Sequence, residues 1–475
     1  MKELFATTTE LLLSGLFLGT MPEQVALWAD GMNIVFTNAS VQTAPPSTSF
    51  LTFTGTPLDS AQSFTLGRRR LYLATTEGVY RYVGPQTEYE SPALLSTQDP
   101  AGFYDQILAQ AQTRCILVPW GDNIISTDGV NPVKYDENTG TMSDLGGTPF
   151  TYARVIWKYF SHLFAADTNL SGRRVYWSAL DDPEVWTATL SNDAGSNPLR
   201  DLDSRIRAGV ELGPNQAIYS QDQMVMSRYV GGQDVFYFAP ALKGIGAVSP
   251  HSIIPHNRFN WGLHHRGIFY TDGIQFEYVD EPKIRKWLHQ NVNWTLAADI
   301  VGWHDEMNQM MCWSVPISGG TVTVGFGYKT MAFTVLYPGA LFGEEADTFD
   351  DCLIGYENSV ELQSLGTTEP SYLVTKPMTF GSREVEKVFQ MIRFDWTVEG
   401  APTITLSFYN DSADGETAIQ EQVYEYSDLE RGQYLYILDG GFTANCMTIR
   451  IDALEGESFR LGGFQVSGEP GGYNK

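Results

Sequence analysis

The sequence predicts an all-β protein: a β-propeller of about six blades followed by a C-terminal β-sandwich-like module. Three observations carry that prediction. The first is composition, since 45 Gly, 23 Pro and 13% aromatic residues against only 18% charged residues suit many short strands joined by tight turns. The second is recurrence: a unit of apolar strand, Asp-, Gly- or Asn-rich turn and second strand returns repeatedly before residue 345. The third is a break at LFGEEADTFDD (residues 341–351), beyond which the strands alternate as half-buried sandwich strands do. The expected division is therefore a propeller over residues 1–345 and a second β module over 346–475.

The units follow in order. RRRLYLATTEGVYRYVG (68–84) turns at Thr76, Glu77 and Gly78, and RCILVPWGDNIISTDGVNPVKYD (114–136) turns at Gly121-Asp122-Asn123 and again at Asp128-Gly129. TYARVIWKYFSHLFAAD (151–167) leads into RRVYWSALDDPEVW (173–186). In QAIYSQDQMVMSRYVGGQDVFYFAP (216–240), Ser220 to Gln223 and Gly231-Gly232 separate three strand-like runs. HHRGIFYTDGIQFEYV (264–279) turns at Asp272-Gly273, and residues 300–335 supply at least three more strands around His304 to Gln309 and Gly319-Gly320. Small sheets spaced in this way bury their faces only against their neighbours, which is the logic of a propeller. EPKIRKWLHQNVNW (281–294) departs from the β pattern and reads as a short helix or an irregular excursion.

Charge excludes some functions. Lys and Arg total 30 against 56 Asp and Glu, a formal charge of -26, so the chain as a whole repels nucleic acid and anionic membranes. Cys115, Cys312, Cys352 and Cys446 lie far apart, without C-x-x-C spacing, and read as buried thiols of a reducing cytosol. The apolar run LLLSGLFLG (11–19) lacks a cleavage signature and is assigned to the core; no segment reaches the roughly 20 apolar residues of a membrane span.

Each candidate for chemistry has a plain structural reading. Asp181 and Asp182 are adjacent and cannot converge within one extended strand, so DDP reads as a turn with Trp177 and Trp186 packing beside it. His251, His256, His264 and His265, with the remote His304 and Cys312, match no zinc spacing; no metal and no cofactor is expected. YNDSADGETAIQ (409–420) is similar to the aspartate-box hairpin of sialidase-like propellers but is one residue short and lacks its tryptophan, leaving a hairpin turn. Phosphate-loop, dinucleotide, H-E-x-x-H and G-x-S-x-G motifs are absent. The densest basic patch is Arg68, Arg69 and Arg70, read as a strand entrance or an interface with carboxylates or phosphate.

Taken in order, several segments resemble the tail hub or nozzle proteins of short-tailed bacteriophages, also called packaged-DNA stabilisation proteins or tail tubular protein B. They are GMNIVFTNASVQTAPP (31–46), LFAAD with RRVYWSALDDPEVW, MSRYVGGQDVFYF (226–238), KGIGAVSPHSI (243–253) and RGIFYTDGIQFEYV (266–279). The series ends with SFYNDSADG (407–415), MTIRID (447–452) and FRLGGFQVSG (459–468). The resemblance implies a non-enzymatic virion protein, assembled in the host cytoplasm as a ring of six at the tail. Its implied partners are the portal or adaptor, a tail fibre or needle, and double-stranded DNA that passes through the lumen without specific binding. Low phosphate affinity suits passage, because a cationic lining gains affinity by counterion release. Glu344, Glu345 and Asp347 are accordingly expected to face that channel or an interface. The competing expectation is a glycan-binding or glycan-cleaving propeller of sialidase or tail-spike type, with Arg228, Arg258 and Arg266 as its proposed arginines. A cellular WD-repeat scaffold ranks last, because the G-H and W-D signatures do not recur.

Overall fold

A computed structural model describes residues 2–6, 28–37, 40–44, 48–52, 61–66, 71–75, 78–82, 104–109, 115–129, 131–136, 138–306, 308–337, 339–346, 351–356, 359–362, 370–378, 386–399, 403–410, 418, 420–424, 434–454 and 458–470. Strands dominate throughout. Seven antiparallel sheets among the described residues form the blades of a propeller. Blades 1 to 6 are meanders drawn from residues 61–109, 116–144, 153–198, 208–243, 253–278 and 301–336. Blade 7 takes three strands from residues 342–362 and its fourth, Thr48–Thr52, from near the other end of the chain.

The innermost strands touch in a closed circuit. Ala61–Leu66 meets Ile116–Trp120, which meets Ala153–Tyr159, and the series runs on through Ala208–Leu212, Ile253–His256, Val301–Asp305 and Phe342–Ala346 back to Ala61–Leu66. Each blade is thus covered on both faces by its neighbours. That is why His162–Thr168 and Met310–Ile317 read as apolar or small runs without alternation and are buried almost end to end. The structure has seven blades where about six were expected. The missing unit was invisible locally, because its closing strand lies about 300 residues from its partners and shows no repeat signature of its own.

The remaining two sheets form the sandwich. One joins Ile34–Phe36, Val41–Thr43, Ser458–Pro470, Lys387–Glu399 and Tyr434–Ala444, with Lys2–Ala6 added along Ser458–Pro470. The other orders Trp28–Met32, Ser371–Thr375, Thr448–Ala453, Ile404–Tyr409 and Gln420–Tyr424. The expected boundary at 345/346 therefore falls inside the strand Phe342–Ala346, and the strands Lys2–Ala6, Trp28–Met32 and Val41–Thr43, assigned to the propeller from sequence, pair with strands beyond residue 370 instead. The N-terminal strands had no local signal for their distant partners.

Blade 6 and the sandwich share one apolar core. Trp313, Val324, Phe326 and Phe333 pack in the same cluster as Trp28, Phe394, Ile451 and Phe464. Asn33 pins the joint. It lies 1% exposed at φ 59, where asparagine is tolerated better than most residues. Its Nδ2 donates to Pro370 O (3.0 Å), and its Oδ1 accepts from Tyr337 N (2.7 Å). Its backbone N–H donates to Val335 O (3.0 Å). One residue so ties the N-terminal segment to both modules.

The expected helix is present as Arg285–Asn291, with Leu288 buried, followed by a 3-10 segment Trp294–Asp299. Both sit between blades 5 and 6. No described helix is long and apolar enough to cross a membrane.

Candidate functional site

The DDP stretch is consumed by structure. Trp177 Nε1 donates to Asp193 O (2.8 Å), Trp186 Nε1 donates to Pro183 O (2.8 Å), and Asp182 Oδ1 accepts from Glu184 N (3.0 Å). Asp181 takes φ 56, and its N–H donates to Ser161 O (2.8 Å). Glu184 reaches blade 2, ion-paired to Lys134 and accepting from Gly146 N (3.2 Å). Trp186 stands edge-on to Phe150 at 5.3 Å. The cluster closes blade 3 and staples it to blade 2.

The other sequence candidates divide. Arg68, Arg69, Arg70 and Asp347 lie outside the described residues. Glu344 and Glu345 lie on Phe342–Ala346, the innermost strand of blade 7. Of the hairpin expected over 409–420, the flanking strands Ile404–Tyr409 and Gln420–Tyr424 pair antiparallel, while residues 411–417 and 419 lie outside the described set. Of the three arginines proposed for a sialidase, Arg258 and Arg266 stand beyond opposite ends of Phe259–His264, and Arg228 lies over the Tyr237 ring at 5.3 Å. They do not converge.

Four of the histidines form two groups on opposite rims. Turns between first and second strands bring His256 and His304 together on one rim, with ring centroids 4.1 Å apart, and His304 Nε2 lies 3.3 Å from the Tyr328 hydroxyl. Burial holds His304 below the usual imidazole range. On the other rim, turns between second and third strands bring Gln221 and Asp222 of blade 4 against His264, His265 and Arg266 of blade 5.

This second group is the denser one. Asp222 Oδ1 lies 3.4 Å from His264 Nε2, 3.5 Å from His265 Nε2 and 3.2 Å from Arg266 Nη2. His264 is fully buried; its Nε2 is 2.9 Å from Gln221 O and its Nδ1 is 2.9 Å from the Tyr278 hydroxyl, which donates to Gly244 O at 2.7 Å. Burial, reinforced by the neighbouring His265, pushes His264 down to about 4 against the pull of Asp222. His265 is lowered too, first by burial. Burial pushes Tyr278 up to about 12. Beneath lies Asp280, fully buried and held by Arg285 through Nε (3.1 Å) and Nη2 (3.0 Å); burial raises its carboxyl despite that partner. Gly267, at φ 140, is required here, because a Cβ would stand 2.3 Å from Asp280 Oδ2. Arg207 holds the neighbouring turn through Gln221 Oε1 (2.9 Å) and Val248 O (3.2 Å).

Asp222, His264 and His265 place one ligand atom each within 4.8 Å of one another, the one such triad of His, Cys, Asp or Glu among the described residues. The sequence reading assigned the histidines no metal and passed over Asp222. The signal was present: Ser220 to Gln223 was already read as a turn, and it occupies the same place in its blade as the histidine pair does in the next.

A third feature is a cavity of about 260 Å³ among the innermost strands of blades 2 to 4. Leu117, Pro119, Trp157, Lys158, Gly209 and His251 line it. Its walls are mostly apolar, with Lys158 and His251 the two ionisable side chains among them, so it offers packing space with little converging polarity.

Fold and rim together define a seven-bladed β-propeller fused to a β-sandwich built from both ends of the chain. No protein-family model matches the chain, and no curated protein matches it either. Among solved structures, it is similar to a computationally designed protein (8% identity, 67% of this chain and 100% of that chain, TM-score 0.40). It is also similar to the Pan2 WD40 domain of Neurospora crassa (8%, 70% and 98%, TM-score 0.40) and to PorZ of Porphyromonas gingivalis (7%, 74% and 44%, TM-score 0.39).

Proposed function

We propose that this chain is a structural virion protein of a short-tailed bacteriophage, forming the tail hub or nozzle ring that retains packaged DNA and conducts it during ejection. The observation that supports the reading is the ordered series of segments from GMNIVFTNASVQTAPP to FRLGGFQVSG, which spans both modules rather than one. Its most chemistry-like member, WSALDDPEVW, is spent on closing a blade, as a scaffold requires. The formal charge of -26 suits a conduit that must release DNA, since it offers few cations for phosphate to hold. Six copies in a ring, docked on a portal or adaptor and carrying a fibre or needle, is the assembly this reading entails.

Negative-stain imaging tests it. The purified chain is mixed with capsids that lack this component, and a ring of six at the portal vertex is expected. A monomer that ignores those particles overturns the reading. Turnover of a chromogenic glycoside by the same preparation would establish the glycan-processing alternative, which the separated Arg258 and Arg266 disfavour.

A further inference from the structure

We propose that Asp222, His264 and His265 form a divalent-cation site, of zinc type, which bridges the rim turns of blades 4 and 5. Distance is the first argument. Zinc holds nitrogen and oxygen ligands at about 2.0–2.1 Å in a tetrahedron, which separates any two ligands by about 3.3–3.4 Å. The observed separations of Asp222 Oδ1 from the two histidine nitrogens are 3.4 and 3.5 Å, so the carboxylate already stands at ligand spacing from both.

Proton bookkeeping is the second argument, and it is independent of the first. Without a cation, the Gln221 carbonyl oxygen can only accept, so the proton of neutral His264 must sit on Nε2. Nδ1 is then an acceptor and needs the hydrogen of the Tyr278 hydroxyl. The Gly244 carbonyl, 2.7 Å from that same hydroxyl, needs it too. One hydrogen faces two acceptors inside a buried network, an arrangement that costs free energy. A cation on Nε2 removes the conflict: the proton moves to Nδ1, Nδ1–H donates to the Tyr278 oxygen, and the hydroxyl donates to Gly244 O. A metal-bound histidine whose other ring nitrogen donates to a fixed acceptor is the usual second-shell pattern.

The surroundings accommodate the ion. Arg266 shares Asp222 Oδ1, but its side chain is 56% exposed and can turn into solvent. Arg207 is already engaged by Gln221 Oε1 and Val248 O. A water supplies the fourth ligand, since the Gln221 carbonyl oxygen, 2.9 Å from His264 Nε2, stands closer than tetrahedral ligand spacing.

The test is calorimetric titration of zinc chloride into the chelator-stripped full chain at pH 7.5. One saturable site per chain with micromolar or tighter affinity is expected. Asp222→Asn and His265→Ala should each weaken it at least ten-fold, and Tyr278→Phe, which touches no metal, by about ten-fold through the second shell. His256→Ala, on the opposite rim, should leave it unchanged. Cobalt(II) should give the visible absorption of a tetrahedral site in the unaltered protein, a readout that needs no variant to fold. Absence of a saturable site, or equal affinity in His265→Ala, whose side chain is 40% exposed and tolerant of truncation, overturns the proposal.

Discussion

Replacing Asn33 should loosen the joint between propeller and sandwich. Asn33→Ala removes two side-chain hydrogen bonds, to Pro370 O and from Tyr337 N, each worth about 1 kcal/mol net. It also places alanine at φ 59, a left-handed conformation that costs a residue with a Cβ about 1 kcal/mol. The sum is about 3 kcal/mol. Asn33→Gly loses the same two bonds but tolerates the backbone, so it should cost only about 2 kcal/mol. For a module of 150–250 residues, each kcal/mol moves the melting temperature by about 2–4 °C, so Asn33→Ala should fall by about 6–12 °C. Scanning calorimetry of the three proteins is the assay, and in Asn33→Ala the sandwich transition should separate from that of the propeller. A loss below about 1 °C in Asn33→Ala, or a glycine variant less stable than the alanine one, would refute the reasoning.

Two further outcomes follow from packing and protonation. Gly209→Ala should destabilise by about 1–3 kcal/mol, because its Cβ would stand 2.3 Å from the Trp157 ring. That ring cannot retreat, being stacked on Phe164 at 5.2 Å and bonded through Nε1 to buried Gln216 at 2.8 Å; adding Trp157→Phe should recover part of the loss in a double-mutant cycle, and strict additivity would show that the two do not meet. Stability should also fall as pH drops from about 6.5 towards 4. The unfolded chain protonates His264 from its ordinary 6.5 downward while the folded chain resists until about 4, so protons favour the unfolded state by at most about 3 kcal/mol across that window. His304 is lowered by the same cause and adds in the same direction. Urea midpoints at pH 7.5, 6 and 5 check this, and a flat profile contradicts it.

The part of the fold written in local chemistry was legible. Turn residues such as Gly121-Asp122-Asn123 and Asp272-Gly273 fall where strands reverse, with Gly121 at φ 59 and Gly273 at φ 91, and the helical break near residue 285 is real. What failed was everything set by pairing across the chain. Nothing in TSFLT announces that it will close blade 7, and nothing in WADGM announces a partner near residue 373. The rim cluster failed for a related reason. Sequence distance put His264 and His265 near His256, yet a six-residue strand carries the first pair and the last to opposite rims, while Asp222 arrives from another blade. Motif spacing reads ligands along one strand or helix; it does not read equivalent corners of adjacent blades.

The long-range stitching also sets a timetable. Ser40 accepts a hydrogen bond from Arg460, 420 residues later, beside strands that pair Val41 with Leu461. At roughly 5–20 residues per second, a ribosome needs on the order of 20–80 s to make that span. Blades 1 to 6 can form as they emerge, whereas Thr48–Thr52 must wait with open edges for Ser359–Leu362, Trp28–Met32 for Ser371–Thr375, and Val41–Thr43 for Ser458–Pro470. Birth of this molecule is therefore a race between completion of the chain and the stickiness of its unpaired beginning.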